Sequence, residues 1–304
     1  ERLKEVEADF AITYEEKQKA AIRDFFNESF SILTGGPGTG KTTIVRGIIA
    51  LYRNYYPYNN IALCAPTGRA AKRLSECSDV QATTIHRLLK WDLESNTFLV
   101  NAEEPITADL LIIDEFSMVD QWLFYNLLLA SKQVKKILVI GDEDQLPSVG
   151  PGCVLKDLIA SQCFKVCRLE KIFRQSQGSD VVELAHEIRR GCCTVLDSGH
   201  DVAFFECRNY QVKDQILKIV NNAFEKGYAD TDIQVLAPMY SGVSGIDGLN
   251  LALQKLCNPP ALYKKEIRLG FRTFREGDKV LQLKNQPDDD VYNGDIGRIA
   301  EIVP

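Results

Sequence analysis

Short apolar-rich runs recur along the chain at residues 30–33, 61–64, 110–113, 136–140 and 164–168. Runs of that length without polar alternation predict strands covered on both faces, as in a parallel sheet. Between them, apolar residues return at helical spacing over 43–52, 69–76 and 121–131. A capping-box pattern, Thr13-Tyr14-Glu15-Glu16, precedes another helix marked by Ala20, Ala21 and Phe25. The order reads strand–loop–helix, strand–helix, an interruption, strand–helix, strand. That order predicts an α/β fold with a doubly wound parallel sheet and crossover helices.

The interruption spans about residues 90–107, where a polar Glu94-Ser95-Asn96-Thr97 turn separates two apolar pieces. It predicts a small β-hairpin insertion. Residues 1–12 are charged and aperiodic, and read as the remnant of an upstream region. Residues 175–179, QSQGS, read as a linker. Beyond it the α/β pattern is weaker, with helices expected over 181–190, 212–224 and 246–257 and strands over 202–206 and 233–236. From about residue 263 the pattern turns to β. The Asn293-Gly294 hairpin signal falls there, and these strands have no obvious partners.

Chemistry concentrates at the ends of the predicted strands. The stretch SILTGGPGTGKTT, residues 31–43, is G-x-x-x-x-G-K-[ST] set between a strand and a helix. Gly36, Pro37, Gly38, Thr39 and Gly40 would wrap backbone N–H groups around phosphate, helped by the helix dipole. Lys41 would reach the β- and γ-phosphates, the Thr42 hydroxyl would take Mg²⁺, and Thr43 completes the turn. The implied ligands are ATP and Mg²⁺. The run 110–113 ends in Asp114-Glu115, a Walker-B pattern. Asp114 would hold the metal and Glu115 would deprotonate the attacking water. After the next strand, Gln145 is placed to sense the γ-phosphate. Arg174 would either reach that phosphate or pair with Glu170 at i, i+4. Gln18 offers an amide able to read an adenine edge, or is a plain surface glutamine.

Composition narrows the class only a little. With 45% apolar and 26% charged residues, the sequence is that of an ordinary globular protein. No apolar run approaches a membrane span, and the first residues are no signal peptide, so the expectation is a cytoplasmic protein with no membrane partner. The net charge of −6 leaves nucleic acid to local basic faces. Arg69, Lys72 and Arg73 make one such face, suited to a phosphodiester backbone or simply solvated. Nine cysteines without C-x-x-C and three scattered histidines argue against zinc and for buried, reduced thiols. His86 alone reads as structural.

Taken in order, GGPGTGKTT, APTGRAAKRL, TTIHRLL, IIDEFSMVD, GDEDQLPSVGPG and RLEKIFRQ resemble the motifs of superfamily 1 DNA helicases, most closely the RecD-like branch. The resemblance runs from Thr13 onward and includes VYNGDIG. It implies a RecA-like P-loop motor domain over 13–174, part of a second RecA-like domain over 175–304, and the start of an SH3-like insertion from about 263. It implies ATP-driven 5′ to 3′ movement on single-stranded DNA with unwinding at duplex junctions, in DNA repair and recombination. Gln18 becomes the adenine reader, Gln145 the sensor and Arg174 the second-domain arginine. Pro66, Thr67, Arg69, Thr84 and His86, with Tyr240 and Asn250, would line the DNA track. The hairpin would be the strand-separating pin. Two later family motifs are absent, which implies a fragment that binds nucleotide and hydrolyses it poorly. The alternatives are an ATPase subunit beside nuclease or other repair subunits, and a nucleotide-dependent DNA-binding module that does not unwind.

Overall fold

Each residue of Leu110–Ile113 is buried, so this strand has to lie inside a sheet covered on both sides. The structure, a computed structural model, describes residues 2–171, 179–193, 201–284, 286, 289, 291 and 293–303. The chain forms two compact units, Glu1–Gln177 and Gly178–Pro304.

In the first unit the helices are α1 (Arg2–Asp9), α2 (Glu16–Asn27), α3 (Lys41–Tyr55), α4 (Gly68–Ser78), α5 (Ile85–Leu88), α6 (Gln121–Ala130) and α7 (Val154–Ala160). The strands are β1 (Phe30–Gly35), β2 (Ile61–Ala65), β3 (Ala82–Thr84), β4 (Trp91–Asp92), β5 (Thr97–Phe98), β6 (Leu110–Ile113), β7 (Lys136–Gly141) and β8 (Lys165–Leu169). Six of these form one sheet in the order β3-β2-β6-β7-β1-β8, with every neighbouring pair parallel. The expected doubly wound architecture is present.

The two-residue period of the strands divides the core in two. Leu33, Leu63, Leu110, Ile112, Leu138 and Ile140 face one layer with Ile44, Ile48 and Phe25 of the helices. Ile32, Cys64, Leu111, Ile113 and Val139 face the other, with Ile85, Phe116, Leu123 and Leu127. Register then brings the carboxyl ends of the strands level: Thr34 pairs with Gly141, Gly35 with Leu169, and Cys64 with Ile113. That edge is where an open α/β sheet places ligands. Lys136, at the other end of β7, donates to the Phe25, Phe26 and Glu28 carbonyls at 3.1, 2.9 and 2.7 Å. It closes the C-terminus of α2, whose last carbonyls have no helical donor.

Several expectations change. Residues 1–12 are not aperiodic: α1 lays Val6 against the first core layer, with Leu3 and Phe10 beside it, and the Arg46 guanidinium covers the Phe10 ring at 4.0 Å. Complete burial of a side chain such as Val6 is worth about 1.5–3 kcal/mol, and the partly buried Leu3 and Phe10 add less each, which together offset the instability of a helix too short to stand alone. The capping box is Glu15 with Gln18, two residues later than expected. The inserted hairpin exists, with only two residues in each arm. Cys64 is the one buried cysteine of nine free thiols, against the expectation of buried thiols.

In the second unit α8 (Asp180–Arg189), α9 (Val212–Glu225) and α10 (Ile246–Cys257) are formed where expected. Residues 202–206 and 233–236 are not strands. An apolar run becomes a strand only when a ladder satisfies its backbone, and among the described residues neither run has one. The β region does find partners: β9 (Glu266–Leu269) pairs with β10 (Arg272–Arg275), and β11 (Lys279–Leu281) with β12 (Ile296–Arg298), both antiparallel. Among the described residues no helix is long and apolar enough to cross a membrane.

Candidate active site

β1 ends at Gly35, where glycine is obligatory because a Cβ would stand 2.7 Å from the Leu169 carbonyl oxygen of β8. The loop then turns through Gly38 and Gly40, at φ 78° and 85°, conformations that glycine adopts without strain. Thr39 is 2% exposed and donates its hydroxyl to the Gly36 carbonyl at 2.8 Å, which pins the loop closed from inside. A Cβ on Gly36 would meet nothing within 4 Å. The loop is therefore braced on its sheet side and open on the other. Lys41 starts α3 and folds over this opening, its ammonium 2.5 Å from the Gly35 carbonyl oxygen and 3.0 Å from that of Gly36.

β6 delivers the acid pair. The Asp114 N–H donates to the Cys64 carbonyl at 2.9 Å, so the pairing with β2 continues to the strand's end. Asp114 then accepts the Glu115 N–H on one carboxylate oxygen at 2.8 Å. Glu115 adopts left-handed backbone angles, φ 50° and ψ 40°, which cost a non-glycine residue about 1–2 kcal/mol. The short 3₁₀ turn Phe116–Met118 and the fully buried Phe116 ring hold it there. Such strain, once observed, is a pointer to function.

The electrostatics tie these groups together. Burial lowers the pKa of Lys41, opposed by the negative charges of Asp142, Asp114 and Glu115. Burial raises that of Asp114, against the Glu115 N–H, Lys41 and Arg73. It raises that of Glu115 too, and the neighbouring Asp114 charge adds to the effect. One lysine thus faces three acids at the carboxyl edge of the sheet.

Two members of this constellation were missed from the sequence. Asp142, 6% exposed, follows β7 directly and accepts the Asp144 N–H at 3.1 Å. Its signal was the acid immediately after an apolar run, the same signal that marked Asp114. Arg73 was read as part of a basic face, yet its charge acts on Lys41, Asp114 and Glu115. Nothing local in the sequence distinguishes it from Arg69.

The remaining predicted residues are placed as follows. Gln18 is 5% exposed, and its carbonyl oxygen accepts the Glu15 N–H at 3.0 Å. Gln145 follows β7 in the same loop as Asp142 and donates its N–H to the Asp142 carbonyl at 3.2 Å. Thr67 and Thr84 are helix caps, their hydroxyls accepting the N–H groups of Ala70 and Arg87, both at 3.2 Å. Pro66 precedes the first cap and Arg69 is exposed on α4. His86 keeps one side exposed and sits against Trp91 and Phe98, with ring centres 6.3 and 5.7 Å away, and partial desolvation on the covered side lowers its pKa against the Asp120 charge. Tyr240 and Asn250 are exposed on the second unit. Arg174 lies outside the described residues.

Oxygen donors at Thr42 and Asp114 suit a hard cation such as Mg²⁺, and the open loop under Lys41 suits a phosphate chain. Both groups fit the residues present.

Residues 18–151 match the family model described as an AAA domain, and residues 249–304 match the model of the ATP-dependent RecD-like DNA helicase SH3 domain. The ATP-dependent RecD2 DNA helicase of Deinococcus radiodurans is 32% identical over 286 residues, which cover 94% of this chain and 38% of that protein. The RecBCD enzyme subunit RecD of Haemophilus influenzae is 27% identical over 364 residues, covering 92% of this chain and 57% of that one. The chain therefore spans 38% and 57% of the lengths of these two relatives. In fold it is similar to the Pif1 helicase of Candida albicans, with TM-score 0.54 and 20% identity over 95% of this chain and 69% of that one. A Bacteroides Pif1 bound to ssDNA gives TM-score 0.51 and 19% identity over 96% of this chain and 70% of that one. With a nucleotide-binding domain recognised in its first half, a RecD-like helicase module in its last part and RecD relatives along the length between, the chain belongs to the RecD-like superfamily 1 helicases.

Proposed function

We propose that this chain is the motor part of an ATP-dependent DNA helicase that moves 5′ to 3′ on single-stranded DNA and opens duplex junctions. The observation that carries the reading is the meeting of Lys41 with Asp114, Glu115 and Asp142 beside an open glycine loop. The loop N–H groups and Lys41 would bind the phosphate chain, and Gln18 would donate to the base. Thr42 and Asp114 would hold Mg²⁺, which supplies charge neutralisation on the β- and γ-phosphates. Glu115, with a pKa raised by burial, is a better proton acceptor than a solvated carboxylate and would take the proton of the attacking water. Gln145 would orient that water and Arg174 would meet the γ-phosphate. Pro66, Thr67, Arg69, Thr84, His86, Tyr240 and Asn250 would contact the strand, mostly through its backbone, giving sequence-tolerant and salt-sensitive binding. The protein would act in the cytoplasm.

Strand displacement on matched duplexes with a 5′ or a 3′ single-stranded tail tests this reading. Opening of the 5′-tailed DNA duplex alone, with ATP and Mg²⁺, is the expected result. Equal opening of both tails, or opening of RNA duplexes only, would sink it. A second reading, the ATPase subunit of a repair nuclease complex, is favoured by the RecBCD subunit identity of the Haemophilus relative. Under that reading the protein alone binds ATP but unwinds only when nuclease subunits are added.

A further inference from the structure

Tyr14, on the loop that enters α2, is 2% exposed, yet its hydroxyl has one specific contact. It donates to the Thr43 carbonyl at 3.2 Å. Thr43 belongs to the first turn of α3, directly after Lys41 and Thr42. One turn on, Gly47 leaves room for the phenol: a Cβ there would stand 2.2 Å from the Tyr14 hydroxyl oxygen. The space is shaped to this hydroxyl, since a carbonyl oxygen has a second lone pair beyond the one its helix uses.

The segment carrying Tyr14 is held from two further directions. Glu7 of α1 accepts the Tyr14 N–H at 2.8 Å, and Gln18 accepts the Glu15 N–H at 3.0 Å. One five-residue stretch therefore touches the phosphate-binding turn at one end and contains the base-reading glutamine at the other. Burial first, then the Glu7 charge, pushes the phenol up to about 12, so it stays a donor at any physiological pH.

We infer that Tyr14 is a positioning residue that sets the first turn of α3 against Gln18, so that the base and the phosphates of ATP are gripped together. The inference rests on the nucleotide reading above. It differs from a packing role in one respect. Losing the hydroxyl should weaken ligands that use both ends of the site and spare those that use only the phosphate end.

Calorimetric titration of the protein with ATP and with inorganic tripolyphosphate, both with Mg²⁺, separates the cases. Tyr14→Phe should weaken ATP by about fivefold, the worth of one hydrogen bond, while leaving tripolyphosphate within about twofold. Gly47→Ala, which pushes the hydroxyl off Thr43 with the phenol intact, should produce the same selective loss. Retained tripolyphosphate binding also shows that each variant is folded. Parallel weakening of both ligands, or unchanged ATP affinity in both variants, overturns the inference. A wild-type protein that binds ATP no better than tripolyphosphate would instead remove the base-reading role of Gln18, and this inference with it.

Discussion

The ammonium of Lys41 lies 2.5 Å from the carbonyl oxygen of Gly35, the residue that ends β1. The lysine thus rests on its own loop, and an arriving phosphate exchanges a neutral acceptor for a charged one. A charge-assisted bond is roughly twice as strong as a neutral one, so the exchange favours binding. Lys41→Ala should lower ATP affinity by at least about 30-fold, as expected when one partner of a partly buried charge pair is removed. Equilibrium titration with a fluorescent ATP analogue would show it, and near-wild-type affinity would refute the role.

Glu115 and Asp114 share one turn but carry different tasks, which substitution can separate. Glu115→Gln keeps the size and the left-handed backbone while removing the proton acceptor. ATP affinity should stay within about threefold, and single-turnover hydrolysis should fall at least about 100-fold, the usual contribution of a general base. Quench-flow measurement of bound ATP decides this. Full turnover in the variant would pass the base role to another residue, with Asp142 next in line.

Asp278 should be a stability centre of the second unit. Only 7% exposed, it accepts from Gln254 Nε2 at 2.6 Å, Asn258 Nδ2 at 2.7 Å and the Arg275 N–H at 2.7 Å. Gln254 lies on α10, Asn258 caps its C-terminus and Arg275 ends β10, so one carboxylate joins the helix to the β region. Asp278→Ala removes three hydrogen bonds: Gln254 and Asn258 keep the Thr273 and Glu276 carbonyls at 3.0 and 3.1 Å, while the buried Arg275 N–H loses its carboxylate, at a cost of about 1–3 kcal/mol. Hydrogen exchange should show faster opening of α10 and the β9–β10 hairpin, with the first unit unchanged.

Alkaline pH gives a further test. The folded Tyr14 pKa is raised from 10.0 to about 12, so the folded state holds this proton more tightly than the unfolded state. The stability it contributes is complete below pH 10 and is lost as pH climbs through 12. A rise of that size corresponds to roughly 3 kcal/mol. Chemical denaturation between pH 9 and about 12 should show a decline that Tyr14→Phe reduces. An equal decline in the variant would assign the effect to other groups.

Local chemistry made much of the site legible from the chain alone. A glycine loop closed by Lys41 and Thr42 can be recognised because its function depends on backbone conformation and neighbours in sequence. The same holds for Asp114-Glu115 after a buried strand, and for the apolar runs that built the parallel sheet. These features lie within a few residues of one another, and spacing reports them directly.

Other features depend on contacts between residues far apart in the chain. Asp142 and Arg73 join Lys41 only because β7 and the β2–α4 unit bring them to the same edge of the sheet. Tyr14 meets Gly47 because α2 and α3 pack on one face. The helix at the N-terminus is stable because Val6 finds a core, whereas the apolar residues 202–206 do not form a strand, lacking a ladder among the described residues. The sequence by itself determined which atoms could hold phosphate, metal and proton. The tertiary structure decided which charges surround them, because burial and distance, which set those charges' effect, exist only once the crossovers have closed the sheet.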